Sequence, residues 1–151
     1  MKKSILTLII TILSVTNAFS QISEVPEPKS TTIGKVVDVG YLTGVYKSVA
    51  LTKFDDGLYL LHYKNLEYPS LSEYSSVSFT STQEDLDYLY NTLTEMCNSK
   101  FGTKKTLILG TATLYLRTQG LKQVNISVSQ SGEIPSSTWL NRKQVNKLFG
   151  K

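Results

Sequence analysis

Residues 45–65 read VYKSVALTKFDDGLYLLHYKN, and they contain the clearest hairpin signal in the chain. β-Branched and aromatic residues dominate both sides of the DDG segment at 55–57, a composition typical of two strands joined by a tight turn. A type I turn followed by a residue with positive φ fits this spelling, because Gly57 has no Cβ to clash. The turn pairs Phe54 with Leu58, and a one-residue slip would turn the apolar face outward. In this register, the predicted core face consists of Val45, Val49, Leu51, Tyr59, Leu61 and Tyr63.

Outward from this hairpin, the pattern predicts six strands and two helices in the order β-β-β-β-α-β-β-α. Hairpins dominate and no strand–helix–strand crossover recurs. We therefore expect an α+β domain, with a mainly antiparallel sheet of about six strands and two helices packed on it. The other predicted strands are a short one at Val36, Val37 and Val39, then residues 74–80, 105–117 and 124–129.

The two helices are predicted from their capping signals and apolar stripes. The first starts at a capping box formed by Ser81 and Glu84 and buries a stripe of five residues spaced for one helix face: Leu86, Leu89, Tyr90, Leu93 and Cys97. The second is predicted over residues 139–149, capped by Ser136 or Ser137. In the strand at 105–117, alternation predicts one inward side made of Ile108, Gly110, Ala112, Leu114 and Leu116.

The N-terminus has the layout of a secretory signal peptide. Residues 1–3 (MKK) are positive, residues 5–15 form an apolar run, and residues 18–20 (AFS) are a cleavage signal, so Gln21 would become the new N-terminus. The apolar run is shorter than the roughly 18 residues of a membrane helix, so we expect no transmembrane segment in the mature chain. The protein is therefore predicted to be exported, to the periplasm or the extracellular space.

The mature chain is predicted to form one domain after a short tether. Residues 21–34 hold Pro26, Pro28 and many polar side chains, which indicates a flexible tether. Residues 35–151 then form the single α+β domain, a length that can bury a core without metal or disulfide support.

The charge of the chain is modest in sum and uneven in distribution. Removing residues 1–20 leaves 14 basic and 12 acidic side chains, a net charge of +2, which is a weak basis for nucleic-acid binding. Residues 21–99 hold 5 basic and 11 acidic side chains, whereas residues 100–151 hold 9 basic and 1 acidic. Two explanations stay open: the halves neutralise one another across the fold, or they form separate poles that meet a partner.

The residue types needed for common catalytic and metal chemistry are scarce. His62 is the sole histidine, and its predicted cross-strand neighbour is Ala50, which offers no nucleophile or orienting carboxylate. Cys97 is the sole cysteine, so no internal disulfide can form, and its helix phase predicts burial. We therefore predict no catalytic residue, no metal site and no cofactor.

Acidic pairs are the remaining catalytic candidates. The turn at 55–57 explains two aspartates, and helix capping explains the acidic cluster at 84–87. Glu67 and Glu73 flank a loop and have no such explanation. A small hydrolase whose carboxylates converge in the folded chain is therefore an alternative function.

Three tyrosines bracket that same loop, at the open end of the first hairpin: Tyr63, Tyr68 and Tyr74. Tyrosine combines a flat apolar ring with a hydrogen-bonding tip, which suits a ligand-binding surface. It is also common in strands for packing alone. We take these three residues as the candidate ligand-binding set.

Together these features favour an exported, non-catalytic module. It would act by contact with a protein, a peptide or a glycan, through one sheet face or the tyrosine loop. An inhibitor or immunity-type partner protein is a further alternative, which would require a charged or apolar patch larger than a few hundred Å².

Overall fold

The computed structural model describes residues 29–38, 47–67, 73–130 and 135–151. The signal-peptide prediction, the tether before residue 29, Val45 and Tyr68 lie outside these residues. Within them are eight strands and two helices. The strands are β1 (Ser30–Asp38), β2 (Lys47–Phe54), β3 (Leu58–Lys64), β4 (Tyr74–Thr80), β5 (Lys104–Leu109), β6 (Ala112–Gln119), β7 (Gln123–Ser129) and β8 (Ser136–Asn141). The helices are α1 (Gln83–Asn98) and α2 (Arg142–Phe149), and a 3₁₀ turn at Gly120–Lys122 links β6 to β7.

The strands form two antiparallel sheets of four, each in simple sequence order, and a helix follows each sheet. We call β1–β4 the first sheet and β5–β8 the second sheet. The predicted α+β class and the two helices are confirmed. The predicted single sheet of about six strands is corrected to two sheets of four.

The predicted register of the first hairpin is confirmed. Thr52 pairs with Leu60 and Ala50 with His62. The predicted core residues that the structure describes are all buried: Val49, Leu51, Tyr59, Leu61 and Tyr63. Gly57 has a φ of 82°, as the turn requires.

The first additional strand arises where one long strand was predicted. A two-residue turn at Gly110 and Thr111 folds the segment back, so that Leu109 pairs with Ala112. Gly110 has a φ of 61°, a conformation that glycine adopts without a Cβ clash. Because of this turn, the side chains before it that were predicted to face inward face outward instead. Ile108 is therefore 81% exposed.

The second additional strand, β8, covers residues that were predicted to begin the last helix. The α2 helix starts later, because Asn141 is its N-cap and forms a capping box with Gln144. The N-cap of α1 is likewise one residue later than predicted, since Thr82 and Asp85 form its capping box. Of the predicted α1 stripe, Leu86, Leu89, Leu93 and Cys97 are buried as expected, and Tyr90 is partly buried against the core.

The β1 strand begins at Ser30, inside the range predicted as a tether, and Ser30 pairs with Phe54 of β2. The β1–β2 register shifts between Ile33 and Val37, and Gly34 in this bulge has a φ of 66°. The bulge places Gly34 against the last turn of α2.

Each helix packs on the sheet of the other half of the chain. The α1 helix contacts β6 and β7, the α2 helix contacts β1 and β2, and the helices contact each other. A small interior cavity is lined by apolar side chains from both sheets and both helices, including Leu61, Leu93 and Ile126. The halves therefore share one hydrophobic core, and each sheet turns its other face outward.

Within the described residues, neither helix has the length and apolar character needed to cross a membrane.

Candidate ligand-binding face

The structure does not bring the described members of the tyrosine set onto one surface. Tyr63 is 1% exposed, and its hydroxyl lies 2.6 Å from Ser136 Oγ, inside the junction between the two sheets. Tyr74 is on the opposite face of the first sheet and 45% exposed. Tyr63 is therefore a packing residue, and Tyr74 is the described member that a ligand could reach.

His62 lies on the same outer face as Tyr74. The two rings are stacked, with centroids 5.1 Å apart and an interplanar angle of 6°. The residues opposite His62 in the neighbouring strands are Ala50 and Ser76. Within the described residues, no hydrogen bond links His62 to a carboxylate, so the geometry of a Ser–His–acid triad is not present there.

Glu67 and Glu73 belong to a polar junction between the sheets, centred on Asn65. The Asn65 side chain donates to Glu73 Oε2 at 3.3 Å and accepts from the backbone N–H of Glu67 at 3.0 Å. It also accepts from the backbone N–H of Ser137 in β8 at 3.2 Å, while Ser137 Oγ donates to Glu67 Oε2 at 3.1 Å. Both glutamates are exposed, and this bonding gives each a structural role.

Two further acidic candidates, Asp56 and Asp85, also have structural roles. Asp56 Oδ1 accepts from the backbone N–H of Leu58 in the hairpin turn. Asp85 accepts from Thr82, and these hydrogen bonds lower the pKa of its carboxyl group. Within the described part of the chain, no group of three or more potential metal ligands comes together.

Two ion pairs connect the acidic half of the chain to the basic half. Lys105 lies 2.8 Å from Glu95, and Lys151 lies 3.2 Å from Asp87; both acids are on α1. The Glu95 carboxylate raises the pKa of Lys105. Part of the charge asymmetry is therefore neutralised across the fold, on the side of the molecule where α1 lies.

Cys97 is 1% exposed, and its thiol points at the backbone oxygen of Leu140 at 3.7 Å. Burial raises the pKa of the Cys97 thiol, because the charged thiolate loses its hydration. The residue packs α1 against the second sheet.

Cys97 is accordingly expected to resist thiol reagents in the native protein. Both its burial and its raised pKa suppress the reactive thiolate. Labelling with Ellman's reagent at pH 8 should be about 100-fold slower, or more, in buffer than in denaturing urea. Rapid, stoichiometric labelling of the native protein would contradict this placement.

The outer face of the second sheet is the most distinctive exposed surface in the described residues; we call it the β5–β8 face. Cross-strand register aligns its side chains in rows. One row runs Lys104, Arg117, Asn125, Trp139 from β5 to β8. The next row runs Thr106, Tyr115, Ser127, Ser137.

The β5–β8 face exposes aromatic rings beside hydrogen-bonding groups. Tyr115 is 51% exposed and Trp139 is 36% exposed. Asn125 and Ser127 lie between them in β7, and Ser127 Oγ donates to Asn125 Oδ1 at 3.0 Å. Flat rings set among amide and hydroxyl groups can contact an amphipathic ligand and orient it.

No protein-family model matches this chain, and no significant match is found among curated proteins or among solved structures. The fold therefore defines the class: an α+β protein with two antiparallel four-stranded sheets and two helices. Fold alone does not specify an activity, so function has to be inferred from the side chains that the fold exposes.

Proposed function

We propose that the protein is an exported, non-catalytic module that binds glycans through the β5–β8 face. The observation that carries this proposal is the exposure of Tyr115 and Trp139 on a sheet face rich in hydroxyl and amide groups. Export rests on the signal-peptide pattern of residues 1–20.

The chemistry of a sugar ring matches that of this face. A sugar presents flat C–H surfaces, which pack on aromatic rings, and hydroxyl groups, which both donate and accept hydrogen bonds. Tyr115 and Trp139 supply ring surface, and Asn125 offers amide groups beside them. A sheet holds these side chains in fixed register, so little entropy is lost when a ligand orders them.

The pattern of side chains favours a glycan over a protein partner. The row through Tyr115 also holds Thr106 and Ser127, and it ends at Ser137, which is buried, so accessible hydroxyl groups still outnumber aliphatic side chains there. Ile108 is the large aliphatic residue on this face, and it lies at the edge strand β5. The centre of a stable protein interface is usually apolar.

Truncating either exposed ring is expected to weaken glycan binding by about 5- to 30-fold, because stacked aromatic area contributes on the order of 1–2 kcal/mol. The purified mature protein would be screened on a glycan array. The best ligand would then be titrated by calorimetry against Tyr115→Ala and Trp139→Ala. Tyr88→Ala is the matched control, because Tyr88 is 60% exposed on α1, across the second sheet from the face.

Unchanged melting temperatures in all three variants would exclude unfolding as the cause. The proposal is wrong if the protein binds no glycan, or if the Tyr88 variant loses as much affinity as the Tyr115 and Trp139 variants.

A further inference from the structure

The β5–β8 face carries positive charge at one corner. Lys104 and Arg117 are directly opposite each other in the β5–β6 register, so their side chains leave the sheet on the same side. Both are exposed. Lys105 is engaged with Glu95, whereas no ion pair within the described residues involves Lys104 or Arg117.

A described acidic group contacts this face at β8, the edge strand opposite β5. Glu67 reaches Ser137 in β8, and β7 lies between β8 and Arg117 in β6, with Lys104 one strand further away in β5. The corner at Lys104 and Arg117 is therefore complementary to a negative group, while the Glu67 edge is suited to accept hydrogen bonds from hydroxyl groups.

From this arrangement we infer that the glycan is acidic and bears carboxylate groups, as a uronic acid polymer does; this inference rests on the proposed function. Arginine presents a planar fork that binds a carboxylate through two parallel hydrogen bonds, and the neighbouring lysine adds a point charge. Lys104 and Arg117 thus set specificity, while Tyr115 and Trp139 supply ring contact.

The spacing across the row suits two linked sugars. Arg117 in β6 and Trp139 in β8 are separated by β7, which puts their backbones about 10 Å apart. One sugar can therefore stack on Trp139 while the carboxylate of its neighbour meets Arg117. Asn125 lies between them in the same row and can bond the hydroxyl groups near the linkage.

The test compares three probes: an oligo-uronate, the same oligosaccharide with its carboxylates reduced to alcohols, and a sulfated oligosaccharide of similar length. The unmodified protein should bind the oligo-uronate about 10-fold or more tighter than its reduced form, with affinity falling as salt rises. Arg117→Gln and Lys104→Gln should remove most of this preference, so that each variant binds the uronate and its reduced form with similar affinity. Lys147→Gln is the matched control, since Lys147 is exposed on α2.

The outcomes separate the two proposals. Equal affinity for the uronate and its reduced form, still dependent on Tyr115 and Trp139, would overturn the acidic assignment and keep glycan binding. Tighter binding of the sulfated probe, with the same Arg117 dependence, would overturn the carboxylate as the recognised group. Binding of none of the three probes, in a protein that binds another glycan through the two rings, would also overturn the inference.

Discussion

Replacing Gly34 by alanine is expected to remove a large share of the stability of the fold. An ideal Cβ at this position would lie 2.4 Å from the backbone oxygen of Lys147, 2.5 Å from the backbone nitrogen of Gly150 and 2.6 Å from the backbone oxygen of Leu148. These are backbone atoms of the α2 C-terminus, so no rotamer change relieves the collision. Overpacking typically costs about 1–3 kcal/mol, and sometimes more.

The backbone conformation adds to that cost. Gly34 has a φ of 66°, and an alanine in the left-handed region costs roughly 1–2 kcal/mol more. The sum, about 2–5 kcal/mol, is a large share of the roughly 5–15 kcal/mol that holds a domain of this size together. Urea denaturation followed by circular dichroism would measure the loss.

Gly57→Ala is the matched control for the Gly34 variant. Gly57 also has a positive φ, 82°, but an added Cβ there meets nothing within 4 Å. It should therefore show the conformational cost alone. Equal losses in the two variants would mean that the contact between the β1 bulge and α2 is absent in solution.

In the first sheet, the sequence predicts the β2–β3 hairpin better than it predicts the edge strand β1. Residues 45–65 contain strong alternation and a specific turn, so the hairpin register follows from local chemistry. The β1 strand is different, because residues 30–34 (STTIG) have little apolar alternation and are held by pairing with β2 and by contact with α2. Such tertiary stabilisation leaves no local signal.

The second sheet shows why the candidate face was not predicted. Alternation in β6 correctly places Leu114 and Leu116 on the opposite face of the sheet from Tyr115 and Arg117. The rows of the face also include residues of β5 and β8, and the sequence pattern did not predict either of these as a separate strand. The turn at Gly110 interrupts an otherwise regular alternation, and Trp139 was predicted to be helical because it lies just before a genuine amphipathic helix.

Asn65→Ala is expected to destabilise the protein by about 2–4 kcal/mol, because the variant breaks the polar junction between the sheets. Asn65 is 5% exposed, and its side-chain oxygen accepts from the backbone N–H groups of Glu67 and Ser137. The hydrogen bond from the Ser137 N–H is buried, and losing an acceptor there costs about 1–3 kcal/mol. The loss would be measured by urea denaturation, and a change below about 0.5 kcal/mol would contradict the bonding described.

Asn65→Asp tests the same junction through pH. The aspartate keeps an acceptor for the backbone of Ser137, but it replaces the amide that donates to Glu73 with a negative charge beside that carboxylate. The two negative charges would repel each other in the folded chain at neutral pH, and this repulsion is relieved in acid. Stability relative to the unmodified protein should therefore be lowest at pH 7 and recover as the pH falls into the acidic range. A pH-independent difference would show that Asn65 and Glu73 do not face each other, and that the sheets are joined without this contact.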